Sequence, residues 1–119
     1  MESILTSIKK MLGIAEDYTH FDADIIMHIN SVFADLAQMG VGPSKGFYIK
    51  DSTANWDDFI SDNLLLNSVK SYMNLRVKIL FDPNSMGSST LASYERQIQQ
   101  WECRLNITAE SEENTTESL

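Results

Sequence analysis

The chain has 119 residues, 43% apolar and 22% charged, which suits one globular domain and excludes wholesale disorder. Its single cysteine, Cys103, excludes an internal disulfide and a cysteine-cluster metal site, and no apolar run approaches the roughly 18 residues of a membrane-spanning helix. The net charge of −8 opposes phosphate binding, and half of it sits at one end: Glu110, Glu112, Glu113 and Glu117 fall in residues 108–119 with no base among them. The opening Met-Glu-Ser-Ile-Leu lacks a basic region followed by an apolar run, so no secretory signal and an origin inside the cell are expected.

Residues 2–12 place Ile4, Leu5, Ile8, Met11 and Leu12 at spacings of three and four, which predicts a short amphipathic helix ended by Gly13. A second helix is expected over 22–39, with Asp22 as N-cap, Phe21 stapled to Ile26, and Gly40 as the stop. Its stripe is Ile25, Ile29, Val32, Leu36 and Met39, widened by Ile26 and Phe33. Residues 40–62 then read as a long irregular connector, with Gly40, Gly42, Pro43 and Gly46 and one helical turn around Trp56, Phe59 and Ile60. Connectors of this length usually carry function, and Pro43, Lys45, Phe47 and Trp56 are the candidate interface residues within it.

Residues 63–81 predict the most apolar helix. Asn63, Asn67, Lys70, Asn74 and Lys78 form one narrow polar face, and the rest of the surface is too apolar for one neighbouring layer to cover. The helix is therefore central or shared with another subunit. Arg76 falls inside the apolar arc, where a guanidinium requires a carboxylate; Glu95 and Glu102 on the next helix are the candidate partners. Asp82-Pro83 ends the helix. A last helix over 88–106 carries the seam Leu91, Tyr94, Ile98, Trp101 and Leu105, suited to antiparallel packing on its predecessor. The fold class is thus mainly α: two long antiparallel helices, a preceding helix and the connector. Residues 1–107 form the domain, and 108–119 are an acidic tail expected to be disordered.

No catalytic, cofactor or metal site assembles from these residues. Asp22 and Asp24 beside His20 suit a helix N-terminus better than a metal, and His28 reads as structural. Gly42-Pro43-Ser44-Lys45-Gly46 has the wrong order for a phosphate loop, and the adjacent Asp57 and Asp58 read as a solvated turn. Cys103 sits at the flank of a helix rather than at a helix N-terminus, the position suited to a reactive thiolate. An enzyme is not expected.

Phe21, His28-Ile29-Asn30-Ser31-Val32-Phe33, Met39-Gly40-Val41-Gly42-Pro43 and Gly46-Phe47 resemble the front half of phage head–tail connector proteins. Val69-Lys70-Ser71-Tyr72-Met73, Arg76-Val77, Phe81-Asp82-Pro83 and Trp101-Glu102, with Arg104-Leu105-Asn106, resemble the back half. The resemblance spans residues 1–107 and consists of packing and turn motifs. It implies a virion protein, assembled from the host cytoplasm into a ring of about twelve copies at the head–tail interface. Its partners would be portal, a stopper or tail-completion protein, and further copies of itself. DNA would pass through the channel without sequence-specific binding, and neither a cofactor nor a membrane is implied. The competing class is a small helical dimer acting as a regulator, of helix-turn-helix or antitoxin and anti-repressor type, for which a basic recognition surface is lacking.

Overall fold

Ser3 begins the first helix because its hydroxyl accepts the Thr6 N–H at 3.3 Å, and Gly13, at φ 77°, ends it. The computed structural model of the protein describes the backbone of residues 2–117 and the side chains of residues 2–107 except Ser85. Among these residues lie five α-helices and no strand: α1 Ile4–Leu12, α2 Asp22–Gln38, α3 Trp56–Phe59, α4 Asn63–Phe81 and α5 Ser88–Glu117. A 3-10 turn, Pro83–Ser85, joins the last two. The mainly α class holds.

The predicted stripes form the core. Ile4, Leu5 and Ile8 of α1, Ile25, Ile29, Val32, Phe33 and Leu36 of α2, and Leu66, Val69, Tyr72, Met73 and Val77 of α4 are buried together. α4 packs against α1, α2 and α5, so its broad apolar arc is covered mainly within the chain. The alternatives for this helix resolve in favour of a central position. Lys78 lies over the ring of Tyr94, and Tyr72 bonds to Glu102. Position falls along α4 as it rises along α5, so the pair is antiparallel, with Leu105 buried and the rest of the seam half-buried.

Three details differ from expectation. Phe21 occupies the N-cap position, and Asp22 is the first helical residue because its carboxylate pairs with Lys9. α5 runs to Glu117, where an irregular tail was expected from 108. No glycine or proline interrupts the sequence after Gly87, so an already nucleated helix continues through Ala109 and the glutamates. The third is the connector, expected as an interface loop, which is pinned to α1 and α2 by hydrogen bonds. The Asn30 amide clasps Ile49 from both sides, donating to its carbonyl at 3.0 Å and accepting its N–H at 2.8 Å. Ile4 N–H bonds to Ala54 O at 3.0 Å, and the Trp56 indole donates to Ser7 Oγ at 2.9 Å.

These anchors bring Phe33, Phe47 and Phe59 into mutual ring contact at 4.7–5.3 Å, with Trp56 beside Phe33 at 6.5 Å. Gly42 passes against this nest. A Cβ there would lie 2.4 Å from Phe59 Cε1, and the backbone sits at φ +95°. Gly42→Ala combines a clash with a left-handed backbone and should lower unfolding free energy by about 2–4 kcal/mol. Gly46→Ala, also at positive φ but with open space around it, should cost only about 1–2 kcal/mol. Urea denaturation of both variants checks the difference.

Candidate functional site

Arg76 begins from a helical register that leaves it no polar neighbour of its own kind: Tyr72 and Met73 precede it on the same side of α4, and Val77 follows. Its side chain is 19% exposed, and Nη2 reaches Asp35 Oδ2 of α2 at 2.8 Å. Nη1 donates to the Tyr72 hydroxyl at 2.6 Å. That hydroxyl in turn donates to Glu102 Oε2 of α5 at 2.8 Å. One cation on the central helix therefore links carboxylates on both flanking helices.

The carboxylate opposite Arg76 is thus Asp35, in place of the expected Glu95 or Glu102. Glu102 joins one step removed, through Tyr72, and Glu95 is exposed. Asp35 escaped notice because it belongs to α2, across the connector, and sequence spacing does not say which side of α2 meets α4. Its place one residue before the buried Leu36 was the available signal.

The network shifts the Tyr72 phenol and the Arg76 guanidinium. Burial pushes the Tyr72 phenol up to about 12, and the bond to Glu102 adds to this against the opposing pull of Arg76. Burial disfavours the charge on Arg76, but the bond to Asp35 and the nearby Tyr72 hold its pKa above the ordinary value. The cation is fixed in its charged form. This is an arrangement for holding helices together, not for proton transfer near neutral pH.

The remaining sequence candidates separate into surface and core. Pro43 and Lys45 are exposed, whereas Trp56 is buried and Phe47 half-buried in the aromatic nest. The last two read as surface because they belong to a long irregular connector; ring packing takes them inside. Asp58 turns back to accept the Asn55 N–H at 2.8 Å, so it helps to begin α3. Asp22 is held by Lys9, and no group of three or more metal-ligating side chains gathers among the described residues. Cys103 is exposed. A shallow cleft of about 180 Å³ is lined by Glu2, Ser7, Trp56, Lys70 and Asn74. It is below the size of an ordinary ligand site, and its Ser7 hydroxyl is already bonded to Trp56.

Lys9 was missed altogether. Only 2% exposed, it places Nζ 2.9 Å from Glu16 O, 2.7 Å from Tyr18 O and 2.8 Å from Asp22 Oδ1. All three ammonium donors are used to fix residues 13–21 against the start of α2.

The polar contacts described here close a helical scaffold. The family model for phage connector protein matches residues 4–112. The chain belongs to that family. No curated protein and no solved structure gave a significant match. The connector is accordingly a structural phage protein and a virion component that interacts with other virion proteins. The match runs past residue 107, into the part of α5 that the sequence reading had set aside as tail.

Two measurements test the network. Arg76→Met should lower unfolding free energy by about 1–2 kcal/mol, less than for a fully buried pair because the Asp35 side chain is 45% exposed and rehydrates. The folded state also holds the Tyr72 proton more tightly than the unfolded chain does. That contribution is complete below pH 10 and is lost as pH rises through about 12. Ultraviolet titration should therefore show one tyrosine ionising near pH 12, and Tyr72→Phe should remove that step.

Proposed function

We propose that this connector is a ring adaptor: about twelve copies stack beneath the portal, extend the DNA channel, and present a platform for the stopper or tail-completion protein. Membership of the phage connector family carries this reading. Pinned helices and an absence of assembled catalytic groups among the described residues suit a part whose work is geometric. The net charge of −8 suits a conduit, because a wall that attracted phosphate strongly would retain DNA rather than pass it. Portal, stopper and sister copies are its partners, in the host cytoplasm during assembly and at the head–tail interface afterwards.

Because α4 is largely covered inside the chain, contacts between copies fall to other surfaces. Exposed Pro43 and Lys45 of the connector are among the candidates. The acidic end of α5 continues past the buried Leu105, and an assembly defect without a stability loss on its removal would make it a docking arm. Removing residues 109–119 should leave the melting temperature within a few degrees while reducing assembly.

Mass measurement of the chain alone and electron microscopy of the chain mixed with its portal test the reading. A closed ring on the portal is the expected result. A stable dimer of twice the 13.5 kDa chain mass, indifferent to portal, would favour the regulator class instead.

A further inference from the structure

Two surfaces of this chain are held in place by polar side chains, the buried Lys9 and the half-buried Asn30. The first surface is aromatic. Phe21 packs edge-on against Phe81 at 5.5 Å and His20 at 4.8 Å, with Tyr18 at 5.9 Å. Phe81 is half-buried against the core, but Tyr18 is 50% exposed, Phe21 36% and neighbouring Leu80 39%. The loop that presents them is fixed by the Lys9 ammonium, which bonds the Glu16 and Tyr18 carbonyls and pairs with Asp22. A rigid exposed ring cluster loses little conformational entropy on contact, which is the property of an interface anchor. Its surroundings are acidic. Glu16, Asp17 and Asp24 are exposed beside it in sequence, while Asp22 is paired with Lys9; the exposed base before them is Lys10.

The second surface is the outer edge of the connector. Asn30 clasps Ile49, which is buried, so the extended chain turns its neighbours Tyr48 and Lys50 outward. Tyr48 is 64% exposed, with Lys50 Nζ 5.8 Å from its ring centre, and Pro43 and Lys45 are exposed nearby in sequence. Residues 40–50 carry these two lysines and no acid. Asp51, next along, is folded back onto the Thr53 hydroxyl and N–H.

The two surfaces are complementary: acidic and aromatic against basic and aromatic. They cannot meet within one molecule. Phe21 begins α2 and Asn30 lies nine residues along it, a separation of about 13 Å on a rigid helix. We infer that the Tyr18–Phe21–Phe81 surface of one copy receives the Lys45–Tyr48–Lys50 edge of the next, making the head-to-tail contact between neighbouring subunits. The inference rests on the ring reading and gives it its subunit interface. Contact between two different surfaces is the heterologous type that propagates around a ring, and its charge component weakens with salt.

Paired charge reversals of exposed residues test it without touching the core. One variant is Lys45→Glu with Lys50→Glu, and the other is Glu16→Lys with Asp17→Lys. Each full-length protein is examined by sedimentation velocity alone and with purified portal, at low and high salt. Wild type should form closed oligomers that loosen with salt. Each variant alone should lose association by roughly tenfold or more. An equimolar mixture should recover it, because reversed edge then meets reversed surface at every second contact. Circular dichroism melts verify that both variants are folded.

Wild-type rings indifferent to both reversals would overturn the interface and leave the adaptor reading standing. The same holds if the variants self-associate normally but fail to bind portal, which would assign these surfaces to the portal. Loss in both variants without recovery on mixing would also overturn the pairing. A wild-type chain that stays monomeric with and without portal would overturn interface and ring together.

Discussion

Arg76 sits on the one helix that touches α1, α2 and α5, and it brings a permanent charge into that position. A guanidinium cannot shed its proton in a protein, so the helices around it must supply acceptors or stand aside. Here they supply them. Asp35 from α2 takes one nitrogen, and Tyr72 takes the other and relays to Glu102 of α5. Apolar burial turns the stripe of each helix inward but leaves latitude in its rotation about the axis. The directional bonds select which sides face, and so determine where the exposed surfaces end up.

The same economy of polar groups recurs away from α4. Lys9 fixes residues 13–21, and Asn30 fixes the middle of the connector. Each is a single side chain that satisfies backbone groups a loop would otherwise leave to water. A catalytic protein concentrates its polar groups in a cleft; this one distributes them along the joints between elements. That distribution matches a component whose task is to hold shape while larger assemblies bear on it, and it agrees with membership of the phage connector family.

Much of this was legible in the residues. The intervals of three and four in α2 and α5, and the Gly13 and Gly40 stops, are local signals that tertiary structure had no reason to override. Arg76 stands out in the sequence because a charge inside an apolar arc is a contradiction visible without coordinates. Its partner was not legible, since the choice between Asp35 and Glu102 depends on how α2 rotates against α4. Phe47 and Trp56 were misplaced for a related reason. An irregular connector reads as surface, but one that folds back on a helix can carry core residues, and Phe33 packs against both rings. Lys9 was hidden because a lysine beside another lysine, Lys10, reads as solvated surface; only the fold shows that one points out and the other in.

The claim on which the rest depends is that Arg76 sets α2 and α5 together through one connected network. Native-state hydrogen exchange in Arg76→Met compares the two helices directly. Amides around Asp35 on α2 and around Glu102 on α5 should lose protection to a similar degree, while those of α1 keep theirs relative to global unfolding. Loss confined to the α4 turn that carries residue 76, with α2 and α5 unchanged, would contradict the claim.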